Sequence, residues 1–200
     1  LNDRGVRSAT TFGSVSGGSF TFIKKLTASA SATLSFVDGA SDVVLDDTYK
    51  EYLFTFNNIH GATDNERFQF QANIVGGADY NETMTTTVFR ASHDEADTDT
   101  GVSYITALDQ AQGTAFQTIG DYVGADADQS LSGSLSLFNP ASTTFVKHFI
   151  SRFSTAQAGD FAMDTFVSGY INTTSAIDDI QFKMSSGNID AGDICLYGIK

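Results

Sequence analysis

A single cysteine, Cys195, leaves no partner for an intrachain disulfide. Its place in an apolar segment near the C-terminus predicts a buried thiol with no catalytic role. Tryptophan is absent and proline occurs once, at Pro140. No apolar run approaches the roughly 18 residues of a transmembrane helix, so no membrane partner is expected. Basic residues are scarce: 11 Lys and Arg stand against 24 Asp and Glu, a formal charge of −13. Phosphate neutralisation needs clustered cations, so nucleic acid is not an expected partner. Leu, Glu, Lys and Arg are also too few for a chain built on long helices.

What remains is rich in strand and turn formers. The chain carries 17 Phe, 7 Tyr and 18 Gly, together with abundant Thr and Ser. Aromatic and β-branched residues fit a pleated surface, and Gly, Ser, Asn and Asp fit the turns between strands. Two hundred residues suit one domain with a sizeable core. The expected class is all-β.

Residues 1–19 are Ser-, Gly- and Thr-rich, hold Arg4 and Arg7, and show no hydrophobic period. They read as an extended arm that orders against a partner, with a single domain over residues 20–200. Period-two alternation then recurs. Tyr52, Phe54 and Phe56 share one face; Phe68, Phe70, Ala72 and Ile74 share another, with Arg67, Gln69, Gln71 and Asn73 expected on a wet side. Leu131, Leu135 and Leu137 alternate with serines, and residues 145–153 set Phe145, Lys147, Phe149 and Ser151 against Val146, His148, Ile150 and Arg152. Residues 107–117 read as a short helix within an irregular connection. Residues 185–192 form a Gly- and Asn-containing turn, followed by a last strand through Ile194, Leu196 and Tyr197. About ten short alternating strands predict two antiparallel sheets packed as a jelly-roll β-sandwich.

Charge is segregated along the chain. Residues 1–25 hold Arg4, Arg7, Lys24 and Lys25 against Asp3 alone, whereas residues 91–130 hold eight acids and no Lys or Arg. This reads as a solvated acidic face or as head-to-tail complementarity between copies. In the second reading Arg4 and Arg7 are the partner-binding residues. The acids at 94–99, with Asp97 and Asp99 followed by Gly101, resemble part of a calcium loop, but no Glu closes the pattern. Asp97 and Asp99 are therefore weak metal candidates, and no cofactor is otherwise expected. Asp121 to Asp128, with Asp126 and Asp128 two apart, form a second acidic stretch and a further weak calcium candidate.

His60, His93 and His148 are far apart and lack a ligand partner at close spacing. No Gly-x-Ser-x-Gly elbow occurs in an α/β context, and of the four Glu, Glu51 and Glu66 sit near opposite ends of candidate strands. No catalytic residue is assigned. Tyr80, Tyr104 and Tyr122 fall in loops or at strand ends and are the aromatics available to a host glycan.

Several stretches carry a resemblance. They are residues 22–26 (Phe-Ile-Lys-Lys-Leu), 48–52 (Thr-Tyr-Lys-Glu-Tyr), 91–97 (Ala-Ser-His-Asp-Glu-Ala-Asp), 137–140 (Leu-Phe-Asn-Pro), 144–149 (Thr-Phe-Val-Lys-His-Phe) and the C-terminal turn and strand. In these the chain resembles virion structural proteins of marine tailed bacteriophages, capsid-decorating or tail-fibre-like. The resemblance implies a non-enzymatic particle component located in the virion, with other virion proteins or further copies of itself as partners. It implies no catalytic residue. The alternative expectation is a carbohydrate-binding module for a host-receptor glycan.

Overall fold

The computed structural model describes residues 19–200. The expected arm, with Arg4 and Arg7, lies outside the described residues. Thirteen strands and no helix make up the described chain: β1 (Phe20–Thr27), β2 (Leu34–Val37), β3 (Glu51–Gly61), β4 (Glu66–Ile74), β5 (Met84–Asp94), β6 (Thr100–Tyr104), β7 (Ala111–Gly113), β8 (Gln117–Val123), β9 (Leu131–Phe138), β10 (Lys147–Gln157), β11 (Phe161–Ile171), β12 (Ile177–Met184) and β13 (Ile189–Ile199).

All pairings between strands are antiparallel, and hydrogen bonding joins them into one 13-stranded sheet. A long run goes β1-β13-β3-β9-β10-β11-β5, with β6 and β7 on the outer side of β5; a shorter run goes β8-β4-β12-β2. The two join where β10 meets β8 at Gln157 and Val123. The sheet curls until its runs face each other, which makes it nearly barrel-shaped.

Phenylalanine fills the space between them. Phe182 of the short run lies with its ring centroid 5.4 Å from Phe54 and 5.0 Å from Phe56 of the long run. It also meets Phe36, Phe68 and Phe70 at 5.9–6.4 Å. Phe149 and Phe153 reach across from β10 to Phe70 and Phe68. The alternation expected at Tyr52, Phe54 and Phe56 and at Leu131, Leu135 and Leu137 is present, all six being buried.

Three expectations fail. Residues 107–117 are not helical: β7 adds to β5, and glutamine side chains bind the carbonyls that helix N–H groups would have taken. Gln117 Nε2 donates to the Leu108 carbonyl at 3.0 Å, and Gln110 Nε2 to that of Ala115 at 3.0 Å. The outer side of β4 is not uniformly wet. Gln71 is fully buried because the connections around it close over that face, and its amide donates to the Glu82, Thr114 and Ala115 carbonyls. Cys195 is half-buried rather than buried, because its strand turns Ile194 and Leu196 to the core instead.

Lys147 is fully buried, on the phase expected for it, while Phe145 lies before the strand begins and is exposed. The Lys147 ammonium donates to the carbonyls of Thr173 and Ser175, which ties the β11–β12 connection to β10.

Asp178 occupies a bulge in β12, with one carboxylate oxygen buried and unbonded. Burial, then the neighbouring Asp179 and Asp38, push its carboxyl above the ordinary value of 3.8. A carboxyl raised by folding contributes stability below its unfolded pKa and loses it as pH rises, so ionised Asp178 weakens the fold at neutral pH. Asp178→Asn is expected to raise the melting temperature at pH 7 by about 2 °C, a small gain because water screens the site. The gain should vanish near pH 3.5, and calorimetry at both pH values checks it.

Candidate functional site

Antiparallel order collects the turns at two poles. One pole holds the turns that follow β1, β3, β5, β8, β10 and β12; the other holds those that follow β2, β4, β9 and β11. The acidic stretches at 94–99 and 126–128, separate in sequence, meet at the first pole. With the β10–β11 turn they form an open groove of about 710 Å³, whose lining includes Asp94, Glu95, Asp126, Asp128 and Asp160 but no Lys or Arg.

Asp97 and Asp99 sit in the β5–β6 turn, which Asp94 organises. One Asp94 oxygen accepts the N–H groups of Thr98 and Asp99, each at 2.8 Å, and the other accepts the Thr98 hydroxyl. These bonds favour the ionised carboxyl and hold it below its ordinary pKa. Asp97 takes a left-handed φ of 56° and its carboxylate meets His93 Nε2 at 3.1 Å. Among the described residues, no three His, Cys, Asp or Glu side chains converge as ion ligands.

Asp121 belongs to the second acidic stretch in sequence but not in space. It is buried between two cations: Arg67 of β4 donates to it from Nε at 3.1 Å, and Arg90 of β5 donates to its other oxygen. The Arg90 guanidinium also lies 5.2 Å from the Tyr122 ring centroid. The triad pins β8 to strands of both runs.

The outer face of the long run is open. On it, Arg152 lies over Phe166, and Phe166 stacks on Phe89 with centroids 4.7 Å apart and planes 5° from parallel. Register places Arg152, Phe166, Phe89 and Tyr104 side by side on four successive strands. A shallow trough of about 540 Å³ runs beside this row, floored by Ser132, Ser134, Ser154 and Ala162. Arg152 and Asp164, in a bidentate pair at 2.6–3.1 Å, stand at its side.

Of the expected surface aromatics, Tyr104 is exposed and donates its hydroxyl to Asp109 at 2.6 Å; Tyr80 and Tyr122 are half-buried. Glu51 and Glu66 are not brought together: the first starts β3 at one pole and the second starts β4 at the other. His60, His93 and His148 lie on different strands and form no common site.

The long run has two bare margins, and sequence reasoning marked neither. Among the described residues β1 pairs only with β13, and β6 only with β5. Phe20 and Phe22 on β1 are 60 % and 57 % exposed; Val102 and Tyr104 on β6 are 75 % and 52 % exposed. The signal available was composition, since neither segment contains proline and residues 100–104 contain no charge. No protein family, curated protein or solved structure matches this chain.

Proposed function

We propose that the chain is a non-enzymatic structural component of a tailed-phage virion surface, a capsid decoration or tail appendage, that works as an oligomer. The observation that carries the reading is the pair of bare sheet margins with four exposed apolar side chains on them. Exposed edges without prolines are templates for association, and covering them with further copies satisfies their backbone groups. The sequence resemblance points the same way. In this reading the N-terminal segment, through Arg4 and Arg7, docks on an acidic surface of a neighbouring virion protein or copy, and the acidic pole has the complementary charge.

We also infer a jelly-roll sandwich as the finer architecture. Setting aside β5–β7 and β10–β11 as insertions leaves eight strands, numbered afresh along the chain, in the orders 1-8-3-6 and 2-7-4-5. Two interleaved Greek keys in facing sheets have that order.

Sedimentation of the purified protein, together with binding to purified capsids and tails, tests the functional reading. A stable oligomer that binds particles is expected; a monomer that binds neither overturns it. A host-glycan module is the second reading, and the trough beside Arg152 and Asp164 favours it, because a bidentate ion pair on a serine floor offers donors and acceptors to sugar hydroxyls. Binding on a bacterial glycan array that Arg152→Ala abolishes would select that reading over the first.

A further inference from the structure

We propose that β1 of one copy pairs with β6 of the next, so that the long run continues from subunit to subunit. This rests on the oligomeric reading above and names its interface. Among the described residues, each strand has one row of backbone N–H and C=O groups with no strand partner.

Chain direction fits. Alternation along the long run sends β1 toward the acidic pole and β6 away from it. A neighbour turned about an axis along the strands, with its acidic pole on the same side, therefore presents β1 antiparallel to β6. In that sense Lys24 and Lys25 point toward the turn bearing Asp94, Glu95, Asp97 and Asp99, and Phe20 and Phe22 toward Tyr104.

Charge fits as well. β1 carries two lysines and no acid, and the turn beside β6 carries four acids and no base. Lysines on an edge, and the bulge between Phe22 and Lys24, discourage two β1 strands from pairing with each other. The same lysines favour an acidic neighbour. Lys25 already meets Asp193 at 3.1 Å, an exposed pair that leaves it open to a second carboxylate, and Asp97 is almost fully exposed.

The contact is heterologous, using different patches on the two partners, so rotation closes it into a ring and any rise per subunit opens it into a filament. The other apolar outer-face residues, Ile150 and Phe89, stay free on such an assembly.

The test is sedimentation velocity on the whole chain at low salt. Lys24→Glu with Lys25→Glu, and separately Asp97→Lys with Asp99→Lys, are each expected to weaken association by at least about tenfold. The four changes combined should restore it. Val102→Lys, at a position of β6 that is 75 % exposed, should dissociate the oligomer without touching the core and stands in if a charge variant misfolds. An oligomer that both reversals and Val102→Lys leave intact overturns this interface while leaving the oligomeric reading standing. Failure of the combined variant to reassociate overturns the charge pairing, and a monomeric wild type overturns both readings.

Discussion

Phe182→Ala should cost about 3–5 kcal/mol of unfolding free energy, the range for removing a buried aromatic ring. The position explains why the upper part of that range is expected. Phe182 touches Phe36 on its own run, Phe68 and Phe70 beside it, and Phe54 and Phe56 on the opposite run. Five rings lose a partner at once, and four of them (Phe54, Phe56, Phe68 and Phe70) belong to strands whose backbones are fixed by pairing on both sides, so the void cannot collapse. For a chain of this length the melting temperature should fall by roughly 10 °C. Phe145→Ala is the control: that ring is 68 % exposed, and its loss should leave melting unchanged. A shift under about 2 °C for Phe182→Ala would mean that the two runs do not share one core.

Asp121→Ala is the second large effect, expected at about 2–4 kcal/mol. Breaking a buried ion pair by removing one partner costs about 3–5 kcal/mol, because the remaining charge is stranded. The lower range applies here because the Arg67 side chain is 41 % exposed and can turn to water. Arg90 has less freedom, being 23 % exposed and stacked against Tyr122. Asp121→Asn keeps the volume but not the charge and should recover only part of the loss. Removing Arg90 as well, by Arg90→Met, should cost less than the sum of the single changes, since the cation that Asp121→Ala strands would be gone. Strict additivity in denaturant unfolding would show that the two side chains do not interact.

Both residues show where legibility in the sequence ended. Strand identity was readable wherever one face is buried, since period two then marks Tyr52, Phe54 and Phe56 or the leucines of β9 without ambiguity. That Phe182 sits at the centre was not readable. Its importance comes from which strands face it, and pairing order is a long-range property that alternation does not encode. Asp121 looked like one more acid in an acidic stretch, but the single strand β8 turns it inward while Asp126 and Asp128, just beyond the strand, remain on the pole.

The residue preferences at 107–117 misled for a related reason. Ala, Gln and Leu are good helix formers, but Gln110 and Gln117 both bond to Thr86 of β5 as well as to carbonyls of their own segment, and the tertiary bonds outweighed local propensity. Gln71 followed the same logic, its polarity marking a hydrogen-bond hub and not a wet surface. The convergence of two acidic stretches into one groove required the topology, although their shared sign was visible. The margins at β1 and β6 were the hardest to foresee, because an unpaired edge is defined by what the rest of the sheet leaves over.

The pairing of β1 with β13 has a consequence for synthesis. Phe20 to Thr27 leave the ribosome long before their partners, since every residue they bond to among the described strands lies between Asp193 and Ile199. This strand must therefore wait, its backbone unpaired, until residues 193–199 have emerged. Contacts of such sequence separation form slowly, and exposed edges in the interval invite off-pathway association. Ribosome-bound chains stalled before residue 189 should thus carry β1 as a sticky, unplaced segment, and this sheet closes only when β13 slides in between β1 and β3.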